Sequence, residues 1–369
     1  MDFNFTEDQE SLRDAVRRWV DKDYDFARRH ANVKAGGFSR DAWDGLVGLG
    51  LMGLAVPEEQ GGMGFGPVDA MVVMEELGRG IVMEPYAQAA LIAPCVLAHA
   101  PGDVQAKWLP KIAGGEVLTV LAYQEPGARY RLDSVQTRLA NGLITGTKSL
   151  VPAGDVANAF IVSARADDGI ALYLVERDAA GVSTRAYSLQ DGSRAAEVTF
   201  AGSLATALVS AQQGLAVLEQ AVDIGIAALC GEAIGAMDRL VALTAEYMNT
   251  RKQFGVTIAS FQALRHRMAD VKMQLELARS MSYFATLKLT APASERRRAV
   301  SQAKLQLGQS MRYVGQQCTQ LHGGIGVTDE YIGSHYFKRL TAMELQFGDT
   351  LHHLGEVSSR MEDTAGVIA

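Results

Sequence analysis

The chain has 369 residues, enough to bury a substantial core and to divide into two or three domains. Hydrophobic residues make up 48% and charged residues 21%, which excludes a disordered or fibrous chain, and the formal net charge of -7 argues against a surface built for nucleic-acid phosphates. Cys95, Cys230 and Cys318 stand far apart with no CxxC or Cys/His spacing, so no metal site is signalled and reduced thiols in a cytoplasmic protein are expected.

The N-terminus, MDFNFTEDQESLRDAV, is acidic and amphipathic, without the basic and apolar regions of a secretory signal. Thr6 and Gln9 are spaced as a capping box, and Leu12, Val16 and Val20 then recur on one face, which predicts a helical domain over residues 1–115. Within it, in GLMGLAVPEEQGGMGFGPVDAMVVMEELGRG, Gly61 and Gly62 free the backbone after Pro57, and a helix restarts near Asp69. Over residues 116–211 the texture changes to the short β-rich runs VLTVLAY, LITGTKSLV, AFIVSARA, IALYLVE and AEVTF, separated by Gly, Asn and Asp turns; a small sheet or barrel is expected. Over residues 212–369 helical periodicity returns, as in Leu264, Met268, Val271, Leu275 and Ala278, and predicts a bundle with a turn at the APASE segment, residues 291–295. The most apolar stretch, from Gly214, carries Glu219, Asp223 and Glu232, the mark of a core helix rather than a membrane span.

A few residues carry chemistry. Arg251 offers a planar fork of donors suited to a diphosphate, with an ion pair to Glu246 as the ordinary alternative. Gly323 and Gly324 remove side chains where a backbone must approach a ligand closely, and Gln320 can donate or accept a hydrogen bond. Asp349 heads the segment DTLHHLGEVSSRM, where aspartate is a favoured helix N-cap. Glu344 reads as a solvated helical residue, and no catalytic role is assigned to His352 or His353.

Three strings resemble the acyl-CoA dehydrogenase family: the segment at 50–80, similar to GLxGLxxPEExGGxG followed by a helix ending EELGR; TRKQFGVTIASFQALRHRMADVKMQLELARSM at 250–281, similar to RxQFGxxxxxFQxxxxxxAD; and QLHGGIGVTDEY at 320–331, similar to QxxGGxGxxxEY. The resemblance covers essentially the whole chain. It implies a mostly α fold with a central β domain: a helical N-terminal domain, a β-barrel-like middle domain and a C-terminal four-helix bundle that mediates assembly. It further implies FAD, contacted by Arg251, Gln253, Phe254, Phe261, Gln262, Gln320, Gly323, Gly324 and Thr350, partly across a subunit boundary, and therefore a homotetramer or a heterotetramer with a related chain. The implied reaction is desaturation of an acyl-CoA thioester to a 2-enoyl-CoA, with an electron acceptor such as an electron-transfer flavoprotein.

The sequence departs from the family pattern in two places. The family's TEPxxGSD segment stands here as QEPGARYRLD, keeping Glu125 and Pro126 but with Gln124, Arg129 and Tyr130 in altered positions, and its GxKxWITN segment stands as GTKSLVPA, with Leu150 for the aromatic. The family's usual catalytic glutamate falls on Phe347 or Gly348, and its alternative place on the helix before Arg251, in DIGIAAL near Gly225, is not acidic at the aligned positions either. Three alternatives follow: Asp349 acts as the base; a related chain supplies the glutamate, as in the small subunits of heteromeric, pimeloyl-CoA dehydrogenase-like enzymes; or the chain is a flavin monooxygenase of the same fold.

Overall fold

The computed structural model describes residues 4–361. Helices α1 (Glu7–Asp23), α2 (Phe26–Lys34), α3 (Arg40–Gly48), α4 (Pro67–Gly80), α5 (Ala93–Leu97) and α6 (Gly102–Ala113) precede the strands. These are β1 (Thr119–Ala122), β2 (Arg138–Ala140), β3 (Leu143–Pro152), β4 (Ala159–Ala166), β5 (Gly169–Glu176), β6 (Val182–Ser188), β7 (Arg194–Leu204) and β8 (Thr206–Val209). Helices α7 (Ala211–Thr250), α8 (Gln262–Lys288), α9 (Ala293–His322), α10 (Ile332–Leu345) and α11 (Thr350–Ser359) follow, so the fold is mostly helical with the strands in the middle of the chain.

By contact density the chain divides into two compact units. One holds the described residues of Met1–Phe26, Met71–Val82 and Ile226–Ala369; the other holds Ala27–Ala70 and Met83–Gly225.

In the second unit the strands run in the order β6-β7-β3-β2-β4-β5-β8, and β1 joins β4 from outside this path. β1 and β2 lie parallel to β4, while the remaining pairs are antiparallel. Residues 159–164 of β4 are all buried, which is why AFIVSA is apolar apart from Ser163. β6, VSTRAYS, is an edge strand whose residues are all exposed or half-buried, so it lacks the apolar alternation that marks the others. Ahead of the sheet, Gly61 takes φ 82°, and a Cβ on Gly62 would sit 2.0 Å from the Val56 carbonyl oxygen; the turn after Pro57 closes on that bare backbone.

In the first unit the expected capping box forms at α1: the Thr6 hydroxyl accepts the Gln9 amide at 3.2 Å, and the Gln9 side chain accepts the Thr6 amide at 3.1 Å. The EELGR string of α4 has two physical uses. Glu75 and Glu76 are buried carboxylates held by Arg13 at 2.8 Å and by Arg17 at 2.6 Å. Gly78 lets α4 press against α7: a Cβ there would lie 1.9 Å from the Glu232 carbonyl oxygen, and reciprocally a Cβ on Gly235 would lie 1.7 Å from that of Glu75. α7 is long and apolar enough to cross a membrane, but 72% of its most apolar window is buried inside the protein, and Asp223 and Glu232 are buried along it. The turn expected at 291–295 lies slightly earlier: α8 ends at Lys288 and α9 begins at Ala293 behind Pro292, a residue that opens helices because it lacks the amide hydrogen the first turn leaves unused.

Candidate functional site

The chain leaves α7 at Thr250 and folds into a two-stranded hairpin, β9 (Lys252–Gln253) against β10 (Val256–Thr257). Its two linking residues, Phe254 at φ 53° and Gly255 at φ 84°, are both left-handed, as a mirror-image type I turn demands. Glycine takes that conformation freely, whereas for Phe254 it costs about 1–2 kcal/mol. The Phe254 ring is 91% exposed and meets Phe261 edge-on at 6.2 Å. At the foot of the hairpin the Arg251 amide donates to the Tyr247 carbonyl at 2.8 Å, and the Arg251 carbonyl accepts the Ile258 amide at 2.9 Å. The backbone is thus pinned while the side chain is exposed; among the described residues the guanidinium has neither hydrogen bond nor ion pair, and the alternative pairing with Glu246 does not form. Gln253 is exposed with its amide on the Lys252 carbonyl, and Gln262 is exposed at the start of α8.

α9 ends on His322, and Gly323 turns the chain with φ 67° and ψ -143°, a region essentially restricted to glycine. A Cβ on Gly323 or Gly324 would meet no atom within 4 Å, so neither glycine serves internal packing, and together they present open main chain beside the exposed Gln320. The hairpin and this loop share one small core of Met248, Ile258 and Leu321, against which Tyr247 and Phe261 pack. The structure therefore brings Arg251, Gln253, Phe254, Phe261 and Gln262 into one neighbourhood with Gln320, Gly323 and Gly324.

Thr350 is turned elsewhere. Its hydroxyl donates to the Glu344 carboxylate at 2.6 Å and its amide to the same oxygen at 3.0 Å, so Glu344 fastens a turn rather than standing solvated as expected. Asp349 is the N-cap of α11, with Oδ1 accepting the His352 amide at 2.8 Å. The turn before it, containing Phe347 at φ 57° and Gly348 at φ 116°, is fastened from inside: Lys304 Nζ donates to the Glu344 and Gly348 carbonyls, each at 2.8 Å, and His353 Nε2 donates to the Phe347 carbonyl at 3.1 Å. Burial pulls the Lys304 ammonium down to about 8.

In the other unit, the two family-like positions Glu125 and Lys148 form a buried ion pair at 2.7 Å. Lys148 also donates to the Ser163 hydroxyl at 3.0 Å, and Glu125 accepts the amides of Gln136 at 2.6 Å and Thr137 at 3.0 Å. Burial pushes the Glu125 carboxyl up, but Lys148 and the Thr137 donors outweigh it and hold the group below its usual range; burial pulls the Lys148 ammonium down to about 8. Arg129 and Leu150, which stand at the altered family positions, are exposed with φ 49° and 53°.

Sequence reasoning passed over Lys148, Lys304 and His322. Lys304 carried a signal: it occupies a core position in the seven-residue repeat Val300, Lys304, Leu307, Met311, Val314, Cys318 and Leu321, every member of which is buried.

Comparison with known proteins identifies the family and the fold. The acyl-CoA dehydrogenase N-terminal domain family matches residues 6–116, and the acyl-CoA dehydrogenase C-terminal domain family matches residues 212–361. The acyl-CoA dehydrogenase IpdE2 of Mycobacterium tuberculosis is 30% identical over 335 residues, covering 90% of this chain and 91% of its own. Among solved structures, the ChsE4-ChsE5 complex from Mycobacterium tuberculosis has a chain that superposes with a TM-score of 0.90 at 26% identity, covering 99% of this chain and 100% of that one. A structure described as an FAD-dependent dehydrogenase does so with a TM-score of 0.88 at 25% identity, covering 98% and 100%. With its fold, its three sequence strings and both terminal domains in agreement, the chain belongs to the acyl-CoA dehydrogenase family.

Proposed function

We propose that this chain is an FAD-binding subunit of an acyl-CoA dehydrogenase that desaturates an acyl-CoA thioester and passes electrons to an acceptor such as an electron-transfer flavoprotein. One observation carries the reading: an unpaired Arg251 guanidinium stands in the same neighbourhood as the bare backbone of Gly323 and Gly324. A guanidinium offers a diphosphate two parallel donors, and glycine backbone admits a nucleotide without steric cost, so these residues fit the adenosine diphosphate half of FAD. Phe254 and Gln253 at the exposed hairpin, with Phe261 and Gln262 behind them, would line its approach. When bound, FAD supplies an acceptor for the hydride that leaves the acyl β-carbon. The chain's own task is to hold that cofactor and, if it carries the base, to take the α-proton.

Asp349 is the carboxylate for that role nearest the place where the family carries its glutamate. A second reading, a partner subunit completing the FAD site of a related chain that owns the base, is favoured by one feature: Asp349 Oδ1 already caps α11, and the turn before it is fastened by Lys304 and His353.

Assembly has its own support. Met273, Leu277, Met281, Phe284 and Leu287 form a stripe along α8 at spacings of four and three residues, exposed or half-buried, and opposite the buried Val271, Leu275 and Ala278. With Gln302, Leu305 and Gln309 of α9, Met281 and Phe284 line an open groove of about 450 Å³. Such spacing is that of a helix expecting another helix.

The test is to purify the chain, measure bound flavin per chain, and follow flavin bleaching on mixing with acyl-CoA. If Asp349 is the base, Asp349→Asn keeps the cap but slows bleaching by roughly 100- to 10,000-fold. A yellow protein whose bleaching survives that change loses Asp349 as the base, and a colourless or inert chain supports the partner reading instead.

A further inference from the structure

His322 sits where the two segments assigned to the nucleotide meet. It is the residue immediately before Gly323, it is 3% exposed, and it is therefore not itself a ligand. Its Nδ1 lies 2.8 Å from the Cys318 carbonyl, an acceptor, so Nδ1 carries the proton and ties the ring to the last turn of α9. Nε2 is then left with a lone pair, and the Tyr331 hydroxyl donates to it at 2.8 Å. That bond folds the loop after Gly323 back over its own origin. The loop also rests on His322 at Gly326, where a Cβ would fall 3.0 Å from the histidine Cβ and 2.7 Å from the Thr319 carbonyl oxygen.

The ring also meets Tyr247 of α7, with centroids 4.7 Å apart and planes 34° from parallel. Tyr247 in turn accepts the Arg251 amide on its carbonyl at 2.8 Å. One imidazole thus stands between the foot of the arginine hairpin and the start of the glycine loop, with both nitrogens satisfied in a single tautomer. Burial lowers its proton affinity and keeps it neutral, the form this arrangement requires.

We propose that His322 is a positioning residue of the nucleotide site, setting the separation between the Arg251 guanidinium and the Gly323–Gly324 backbone through Tyr247 on one side and Tyr331 on the other. This rests on the reading above that those two segments hold the diphosphate and adenosine of FAD. A leucine could fill the space, but it would leave the Tyr331 hydroxyl without its acceptor and the loop without its tie.

The experiment measures FAD affinity by flavin fluorescence, with ADP as a competing probe for the nucleotide half, alongside the melting temperature of the flavin-free protein. His322→Leu is expected to weaken both FAD and ADP roughly tenfold. His322→Gln, which places an amide oxygen near Nε2, is expected to restore most of the loss. Tyr331→Phe lies on a half-exposed residue and keeps its ring, so it tests the same tie if the leucine variant does not fold; it too is expected to weaken both ligands, and combined with His322→Leu to add little. Variants that keep wild-type affinity for both probes overturn the positioning role and leave the cofactor reading standing. A wild-type chain that binds neither probe, alone or mixed with a related acyl-CoA dehydrogenase chain, removes both at once. A fall in melting temperature with unchanged affinity assigns His322 to the core alone and also overturns the proposal.

Discussion

Lys304 and His353 are two ionisable side chains buried around one turn, and the protein keeps them there for their hydrogen bonds. Lys304 donates to the carbonyls of Glu344 and Gly348, and His353 donates to that of Phe347. The cost is electrostatic. Burial, helped by the neighbouring Lys304 charge, pulls the His353 imidazole from 6.5 down to about 3. Because the folded value lies below the unfolded one, stability from this site is fully present above about pH 6.5 and is lost as pH falls toward 3, at about 1.4 kcal/mol per pH unit. Glu75, whose carboxyl is pushed up by burial, works in the opposite sense as pH falls. The urea midpoint is therefore expected to drop between pH 7 and pH 5, by about 2 kcal/mol in stability from His353, and His353→Gln is expected to flatten that slope. A slope untouched by the substitution would place the acid sensitivity elsewhere.

At the scale of elements, the sequence made some pieces plain and hid others for identifiable reasons. β3, β4 and β5 announce themselves because their apolar residues face a covered sheet, while β6 is an edge strand and its string VSTRAYS carries no buried face to betray it. β2 is three residues long, and the π-helix over Ala87–Ile92 has no sequence pattern distinct from an ordinary apolar helix. The site divides likewise. Arg251 and the two glycines were legible because their chemistry is local, whereas Lys148 was not, because its partner Glu125 lies on a segment that only the sheet brings near. The crossing of α4 and α7 was hidden too, though it can be probed directly. Gly235→Ala should destabilise the protein by about 1–3 kcal/mol by forcing a methyl into the Glu75 carbonyl. Gly355→Ala, on α11 with nothing within 4 Å, should stabilise it by about 0.5–1 kcal/mol. Thermal melts of the two variants shifting in the same direction would contradict this account of the crossing.

For the whole molecule, the α8 stripe is the surface through which the proposed association would run. Leu277→Glu puts a charge within that stripe, at a residue 45% exposed in the single chain, and is expected to lower the mass measured by light scattering while leaving helix content unchanged. An unaltered mass would mean that copies meet through another face. The pair of glycines between α4 and α7 has a further effect at this scale. α7 continues from Gly235 to the foot of the hairpin, about 24 Å of uninterrupted helix. Slipping it one residue past α4 would carry Arg251 about 1.5 Å along the axis and about 100° around it. The aim of the guanidinium is thus indexed by two missing methyl groups far away, and under the proposal that Arg251 holds the cofactor a mutation there would be felt first as weakened nucleotide binding, in a protein that still folds.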